Sequence, residues 1–257
     1  MLKTRVIPTL LHKDATLVKG VGFDSWRPIG SAMQAVRVFN LRDVDELVFL
    51  DIRATLAGQA PDYELIDELA DACFMPLTVG GGVRTVEHAA TLLRVGADKV
   101  ALNSVCIEDP GVVSDIAERF GAQCVVASID ARASADGHVV VTRSGTRTTG
   151  RDPVSLAVEL ERRGAGELLV GSIDRDGTMQ GYDLELIRRV SEAVGIPVIA
   201  SGGGGTYAHM LTALREGGAA AVAAGAMWQF TEQTPAGAKR FLAEHGVPVR
   251  IPLPGPT

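Results

Sequence analysis

Two glycine clusters, each placed between an apolar strand and a helix, constrain the fold of this chain more than any other feature. The first follows Leu77-Thr78-Val79 and reads Gly80-Gly81-Gly82; the second follows residues 198–200 and comprises residues 201–205, which read SGGGG. Glycine lets backbone N–H groups approach an anion at the start of a helix, so each cluster predicts a phosphate site. Each is followed by a helix, a glycine and a short strand, so the two copies predict an internal repeat.

The rest of the chain alternates strand and helix without a linker. Eight such units in 257 residues predict a single α/β domain over residues 1–257, a (β/α)8 TIM barrel with a two-fold internal repeat of half-barrels. Residues 45–50 (DELVFL) correspond to residues 166–171 (GELLVG), which supports the repeat. An open doubly wound sheet is the alternative. Residues 13–31 are too long for an ordinary connection and are predicted to form a loop that covers the active face.

Composition excludes several classes of protein. A formal net charge of −6 and a pI near 5.4 argue against a nucleic-acid partner, which requires a concentrated basic face. No apolar run approaches the ~18 residues of a membrane span, and the first residues carry no signal-peptide pattern. Cys73, Cys106 and Cys124 lie in apolar surroundings without metal-ligand spacing, so we expect buried, reduced thiols. These features predict a cytoplasmic protein without membrane partner, metal or cofactor.

Both glycine clusters are predicted on one face, because the carboxyl ends of barrel strands form the active face. They lie about half a circumference apart, which suits a small molecule with a phosphate at each end; the alternative is that only the second cluster holds a phosphate. The predicted phosphate- and substrate-binding residues are Lys19, Gly82, Asn103, Ser104, Gly177, Ser201, Gly202, Gly203, Gly225 and Ala226.

Five motifs carry a resemblance that extends over nearly the whole chain. Residues 45–51, 78–82, 96–100, 172–178 and 246–250 read DELVFLD, TVGGG, GADKV, SIDRDGT and GVPVR. At these residues the chain closely resembles the cyclase subunit of imidazole glycerol phosphate synthase. The resemblance implies that a glutaminase docks on the N-terminal face of the barrel to form a heterodimer, and that ammonia passes along the barrel axis to a bisphosphate substrate. A sister family, the phosphoribosyl isomerase, shares the phosphate sites but uses no ammonia.

Four charged residues stand at or next to the starts of strands: Arg5, Glu46, Lys99 and Glu167. They match the charged ring that gates the ammonia entrance in the cyclase family, and such a paired ring would close the barrel to water while admitting a small neutral molecule on rearrangement. Asp98 would then face the glutaminase. The alternative is that the four are ordinary solvated charges at strand ends.

The resemblance implies two catalytic aspartates, at the ends of the first and fifth strands. Asp130 occupies the second position, whereas Leu11 stands at the first. Strand alternation directs Leu11 into the mouth of the barrel and His12 to the other side. Asp176 is predicted to be a second catalytic carboxylate on the active face, with a loop-capping role as the alternative; Asp14 is assigned to the covering loop. Loss of an acid or base group costs ~10²- to 10⁴-fold in rate, so the usual cyclase mechanism is in doubt.

Residues 10–14 (LLHKD), 61–66 (PDYELI), 74–77 (FMPL) and 181–187 (GYDLELI) resemble a divergent branch of the cyclase family, associated with surface polysaccharides. This resemblance implies an ammonia-handling amidotransferase subunit that serves a third enzyme, which converts an acetamido group of a nucleotide sugar to an acetamidino group. The alternatives are a genuine imidazole glycerol phosphate synthase cyclase of histidine biosynthesis and a non-catalytic scaffold that activates the glutaminase.

Overall fold

A closed parallel sheet surrounded by helices forms the protein, as seen in a computed structural model that describes residues 3–135 and 137–251. Parallel neighbours need a crossover connection, and helices provide it between successive barrel strands. The strands in chain order are β1 (Arg5–Lys13), β2 (Thr16–Val21), β3 (Asp24–Gly30), β4 (Leu47–Asp51), β5 (Leu77–Gly80), β6 (Lys99–Leu102), β7 (Val125–Ser134), β8 (Gly137–Thr142), β9 (Arg147–Thr148), β10 (Glu167–Ser172), β11 (Val198–Ser201) and β12 (Ala221–Ala224).

Within the described residues, eight of these strands close into a barrel in the order β1-β4-β5-β6-β7-β10-β11-β12. Closure is made where β12 pairs in parallel with β1, with Arg5 opposite Ala221. β10 pairs with both β7 and β11, so no edge is left open on that side. The predicted TIM barrel is therefore confirmed, and the open doubly wound sheet is excluded. The internal repeat of half-barrels stays a prediction.

The helices cover the outside of the barrel and begin at residues that cap them. Thr85 accepts a hydrogen bond from the His88 N–H, and Thr206 accepts one from the His209 N–H, which satisfies a backbone donor that the first helical turn leaves free. The helices are α1 (Ala32–Leu41), α2 (Tyr63–Ala72), α3 (Val86–Arg94), α4 (Val105–Glu108), α5 (Gly111–Phe120), α6 (Pro153–Arg162), α7 (Leu184–Ala193), α8 (Tyr207–Arg215), α9 (Ala226–Phe230) and α10 (Pro235–Glu244).

The segment that precedes α1 differs from the predicted loop. It forms a hairpin of β2 and β3 that extends from the end of β1, with Leu17 and Val18 buried. Gly22 and Phe23 have φ of 62° and 61° at the turn. The Gly22 N–H donates to the backbone carbonyl oxygen of Asp176 at 3.0 Å, so the hairpin lies over the mouth of the barrel. Its alternation was hidden because Lys19 is a buried charged residue in an otherwise apolar stretch.

Two separate apolar layers form the core. The larger layer lies between the sheet and the helices and includes Phe39, Phe49 and Leu69. The smaller layer fills the barrel axis with small and branched side chains, as interior strand positions of a barrel require. Its members are Ile7, Val48, Ala101, Val126, Leu169, Ile199, Ala221 and Ala223.

The three cysteines are free, but only Cys106 is buried. Burial raises the pKa of its thiol to about 12. Cys73 and Cys124 are half-buried, so the prediction that all three are buried is wrong for these two; each lies in a segment that approaches the start of a barrel strand, where apolar neighbours in sequence do not form the core. Among the described helices, none has both the length and the apolarity needed to cross a bilayer.

Candidate functional site

A cavity occupies the mouth of the barrel, at the carboxyl ends of the parallel strands. Strand ends and the loops after them line it, and the β2–β3 hairpin contributes Phe23 and Trp26 from above. The cavity brings together every residue predicted to bind phosphate or substrate and both predicted catalytic carboxylates: Lys19, Gly82, Asn103, Ser104, Asp130, Asp176, Gly177, Ser201, Gly202, Gly203, Gly225 and Ala226.

The glycine clusters have backbone conformations that only glycine adopts readily. Gly82 and Gly203 have φ of 72° and 100°, and a β-carbon at Gly203 would lie 2.2 Å from the Gly181 oxygen. Tight packing therefore adds to the conformational requirement at the second cluster. At the first cluster, the Gly82 N–H donates to the Thr55 hydroxyl at 3.3 Å, so this donor is partly engaged within the protein.

Asp130 lies in the middle of β7, opposite Gly171 of β10, and lines the cavity. Its Oδ2 accepts a hydrogen bond from Asn103 Nδ2 at 3.0 Å. The same nitrogen donates to the backbone carbonyl oxygen of Ser128 at 3.1 Å. Burial raises the pKa of the Asp130 carboxyl to about 7, with a further contribution from Asp176, while Asn103 opposes the rise. A carboxyl with a pKa in this range can both take and give a proton near neutral pH. Asn103, predicted to bind phosphate, is thus a partner of Asp130.

Lys19 and Asp176 form a second group of charged side chains in the cavity. The Lys19 ammonium is buried and donates to the backbone carbonyl oxygen of Thr9 at 2.9 Å. Burial lowers its pKa to about 8, an effect that Asp176 opposes. The pKa of Asp176 is raised by burial, and Lys19 opposes that rise. The two side chains therefore stabilise each other's charged forms at one side of the mouth.

Leu11 faces the cavity from β1. In the closed order of the barrel, β1 and β7 are separated by β4, β5 and β6 on one side, so Leu11 lies on the wall opposite Asp130. His12 is buried outside the barrel wall, with its ring centroid 5.4 Å from that of Phe49, as the strand alternation predicts. Asp14 forms an ion pair with Arg53 on the outer rim. The wall facing Asp130 therefore combines the apolar Leu11 with the Lys19 ammonium, which donates to the backbone of Thr9 on the same strand.

The four charged residues at strand starts do form a closed ring at the other end of the barrel. Each cation contacts both anions: Arg5 lies 2.6 Å from Glu46 and 2.8 Å from Glu167, and Lys99 lies 3.0 Å from each. Burial alone would lower the pKa of Arg5, but the two glutamates raise it above its ordinary value. These four ion pairs are inconsistent with the alternative that the four residues are ordinary solvated charges at strand ends.

Sequence reasoning missed Thr78, which hydrogen-bonds to one of the glutamates of the ring. Thr78 is fully buried, and its hydroxyl donates to Glu46 Oε1 at 2.7 Å. The threonine faces inward on β5 at the level of the ring, so its position could have been inferred from strand alternation.

The outer surface around the ring combines polar and apolar groups. Asp98 is exposed beside Lys99, and its Oδ2 accepts a hydrogen bond from the Leu77 N–H at 2.8 Å. Leu41 and Phe74, which precede β4 and β5, are almost fully exposed. Both side chains therefore lie towards the strand-start end of the barrel, the end that carries the ring.

Across residues 3–135 and 137–251, no group of three or more histidine, cysteine, aspartate or glutamate side chains is arranged to hold a metal ion. The polar groups that line the cavity are glycine turns, hydroxyls, the Lys19 ammonium, the Arg84 guanidinium and the carboxyls of Asp51, Glu108, Asp130 and Asp176.

Fold and cavity define a (β/α)8 barrel with a cavity at the carboxyl ends of its strands and an ion-pair ring closing the opposite end of an apolar axis. Comparison with known proteins gives the particular family: residues 5–232 match the model of the histidine biosynthesis proteins, and the chain belongs to that family, in its HisF branch. It is 50% identical over 250 residues to the imidazole glycerol phosphate synthase subunit HisF of Hyphomonas neptunium, covering 97% of this chain and 99% of that protein. It is 46% identical over 253 residues to the protein of the same name from Caulobacter vibrioides, covering 98% and 97% of the two chains.

Proposed function

We propose that this chain is the ammonia-using cyclase subunit of an imidazole glycerol phosphate synthase, working with a HisH-like glutaminase. The observation that carries the proposal is the arrangement along the barrel axis, where an ion-pair ring at one end leads through an apolar interior to Asp130 at the other. The name shared by the two relatives supports this function over the other candidates.

The ring is suited to admit ammonia from a docked glutaminase. Glu46 is almost completely buried, and with its partners it closes the strand-start end of the barrel. Ammonia is neutral and small, so it pays little to enter an apolar axis, whereas ammonium would lose its hydration without a partner. Opening requires only that one cation exchanges its two carboxylates for a group of the docked partner. Asp98 and the exposed Phe74 lie on the face where we place that partner.

At the other end, the cavity supplies the groups that an ammonia-dependent reaction of a bisphosphate needs. We assign the two phosphates to the two glycine clusters. The Asp130 carboxyl can move protons near neutral pH because its pKa is raised to about 7. Asp176 lies close enough to Asp130 to affect its charge, so we assign it as the second carboxyl. Both carboxyls then act from one side of the ligand.

A second candidate function is supported by Leu11. Its apolar side chain faces Asp130 from the opposite wall, where the resemblance to cyclase subunits implies an aspartate. Under this candidate, the barrel delivers ammonia to a third enzyme that amidates a nucleotide sugar. The identity to HisF subunits weighs against it, because it extends over almost the whole of both chains.

Turnover with ammonia alone separates the candidates. Purified protein is given an ammonium salt at about pH 8.5 and the bisphosphate ribonucleotide substrate of imidazole glycerol phosphate synthase, with Asp130→Asn as the matched inactive control. Formation of imidazole glycerol phosphate by the wild type, reduced ~10²-fold or more in the control, supports the cyclase. Tight substrate binding without turnover favours delivery to a third enzyme. Absence of binding together with stimulation of a glutaminase would indicate a scaffold.

A further inference from the structure

Gly171 occupies a position in the cavity where its backbone does not require glycine. It lies at the end of β10, between Asp130 on β7 and Ser201 on β11. Its φ lies outside the left-handed region, so other residues could adopt this conformation. A β-carbon here would lie 3.0 Å from Asp130 Oδ1, and among the described residues other than its chain neighbours no further atom would lie within 4 Å. What the glycine provides is therefore space beside one carboxylate oxygen.

The two oxygens of Asp130 have different surroundings. Oδ2 accepts the hydrogen bond from Asn103, which fixes the orientation of the carboxyl group. Within the described part of the chain, no protein group donates to Oδ1, and this is the oxygen that faces Gly171. A group of a bound ligand can therefore reach Oδ1 from the space above Gly171 without displacing a protein partner.

The space over Gly171 also lies at the end of the apolar axis. Leu169, two residues earlier on the same face of β10, belongs to the cluster that fills the axis, and both residues line the cavity. Ammonia that leaves the axis along β10 would thus arrive beside the exposed oxygen of Asp130. On the opposite wall Leu11 offers no group that can exchange a proton.

We propose that Gly171 is a specificity-determining residue: a hydroxyl or amine group of the phosphate-bearing acceptor occupies the space above it and hydrogen-bonds to Asp130 Oδ1. Asp130 as carboxylate takes a proton from this group and, as carboxylic acid, returns it, so no further reactant is needed. The inference rests on the proposed function of the cavity, and it adds that the reacting group lies on the β7–β10 side of the ligand, away from Leu11.

Filling the space tests the proposal. Gly171→Ala places a methyl group against Oδ1, and Gly171→Val fills the space more completely. Gly195→Ala is a matched control, because Gly195 also lies outside the left-handed region and the atom near its β-carbon would be Glu161 Oε1 at 3.2 Å. Gly195 precedes the start of β11, whereas the cavity residue Ser201 is at the end of that strand. Circular dichroism and thermal midpoints establish that all three variants fold.

The first measurement is ammonia-dependent turnover over a range of pH, with affinity for the bisphosphate substrate by calorimetry. We expect Gly171→Ala to lower kcat at least about tenfold and to displace the pH profile, with the Kd changed less than about twofold. Gly195→Ala should leave both unchanged. An unaltered kcat and pH profile in both Gly171 variants would overturn the proposal.

A second measurement holds even if the wild type shows no turnover. The carboxyl carbon of Asp130 is followed by NMR as a function of pH, with and without the bisphosphate. Contact with Oδ1 predicts that the ligand shifts this titration in the wild type and not in Gly171→Val. A shift of equal size in both proteins would overturn the inference while leaving the proposed function standing. Failure of the wild type to bind the bisphosphate would instead refute the proposed function.

Discussion

The charge on Asp130 makes a testable contribution to stability. Burial raises the pKa of this carboxyl to about 7, whereas in the unfolded chain it ionises near 3.8. Between these values the folded protein holds a proton that the unfolded chain has released, so its free energy of unfolding falls as pH rises. Above the folded pKa the decrease is complete. Asparagine at this position cannot ionise and keeps the oxygen that accepts from Asn103, so the Asp130→Asn variant should lack this decrease.

The size of the effect follows from the difference between the pKa and the lower pH of the test. Between about pH 5 and pH 7 the wild type loses about 1.4 kcal/mol per pH unit, which amounts to about 3 kcal/mol by pH 8. We therefore expect the Asp130→Asn variant to gain about 3 kcal/mol relative to wild type between pH 5 and pH 8. The free energy of unfolding of the variant, relative to that of the wild type, should therefore increase with pH, although the variant has no carboxylate at this position.

Urea titrations at about pH 5 and pH 8 measure this difference as a change in midpoint at constant slope. Asp115→Asn, on the exposed side of α5, corrects the comparison for the loss of one negative charge from a protein with a net charge of −6. A difference between wild type and Asp130→Asn that is the same at both pH values would refute the reasoning. It would mean that the Asp130 carboxylate is as well solvated in the cavity as in the unfolded chain.

Three further predictions concern the charged ring, the second glycine cluster and Leu11. Lys99→Ala leaves Glu46 and Glu167 without their shared cation, so in the complex with a glutaminase more than one glutamine should be hydrolysed per product formed; a ratio that stays at one would contradict the gate. Ser201→Asp places a carboxylate at the second glycine cluster and should weaken binding of the bisphosphate at least about tenfold by calorimetry; unchanged affinity would remove that cluster from the site. Leu11→Asp adds a carboxyl opposite Asp130 and should raise ammonia-dependent turnover by about 10²-fold if an absent acid or base limits the wild type; normal substrate binding without any gain would show that Leu11 does not limit catalysis.

Local patterns predicted the elements of the barrel closely. The predicted alternation of strand and helix matches the element order of the barrel, because apolar side chains recur with different periods in strands and helices. The short helices α4 and α9 were missed, since four or five residues carry no measurable period. The sequence predicts a loop at residues 13–31, whereas the β2–β3 hairpin forms there and its turn bonds to the backbone of Asp176, which is distant in sequence.

The site was predicted less fully than the fold. Residues that line the cavity follow strand ends and glycine turns, which are visible in the sequence. The partners of those residues are not visible: Asn103 bonds to a carboxyl 27 residues away, and the hydroxyl of Thr78 bonds to Glu46 across 32 residues. Gly171 gave no signal either, because a glycine at a strand end with an ordinary φ looks like any other small residue. The role proposed for Gly171 depends on Asp130 Oδ1, beside which the glycine leaves space.

The separation of the two ends of the barrel bears on how Leu11 is to be understood. The ring is made by residues at strand starts, the cavity by residues at strand ends, and the apolar axis lies between them. Charges this far apart across packed side chains exchange little energy unless a two-state element connects them. A carboxylate or a leucine at one cavity position is therefore compatible with the same ion-pair ring. Under both candidate functions the ring has the same role, so the two are separated at the mouth of the barrel, by turnover of the bisphosphate with ammonia, rather than by the ratio of glutamine hydrolysed to product formed.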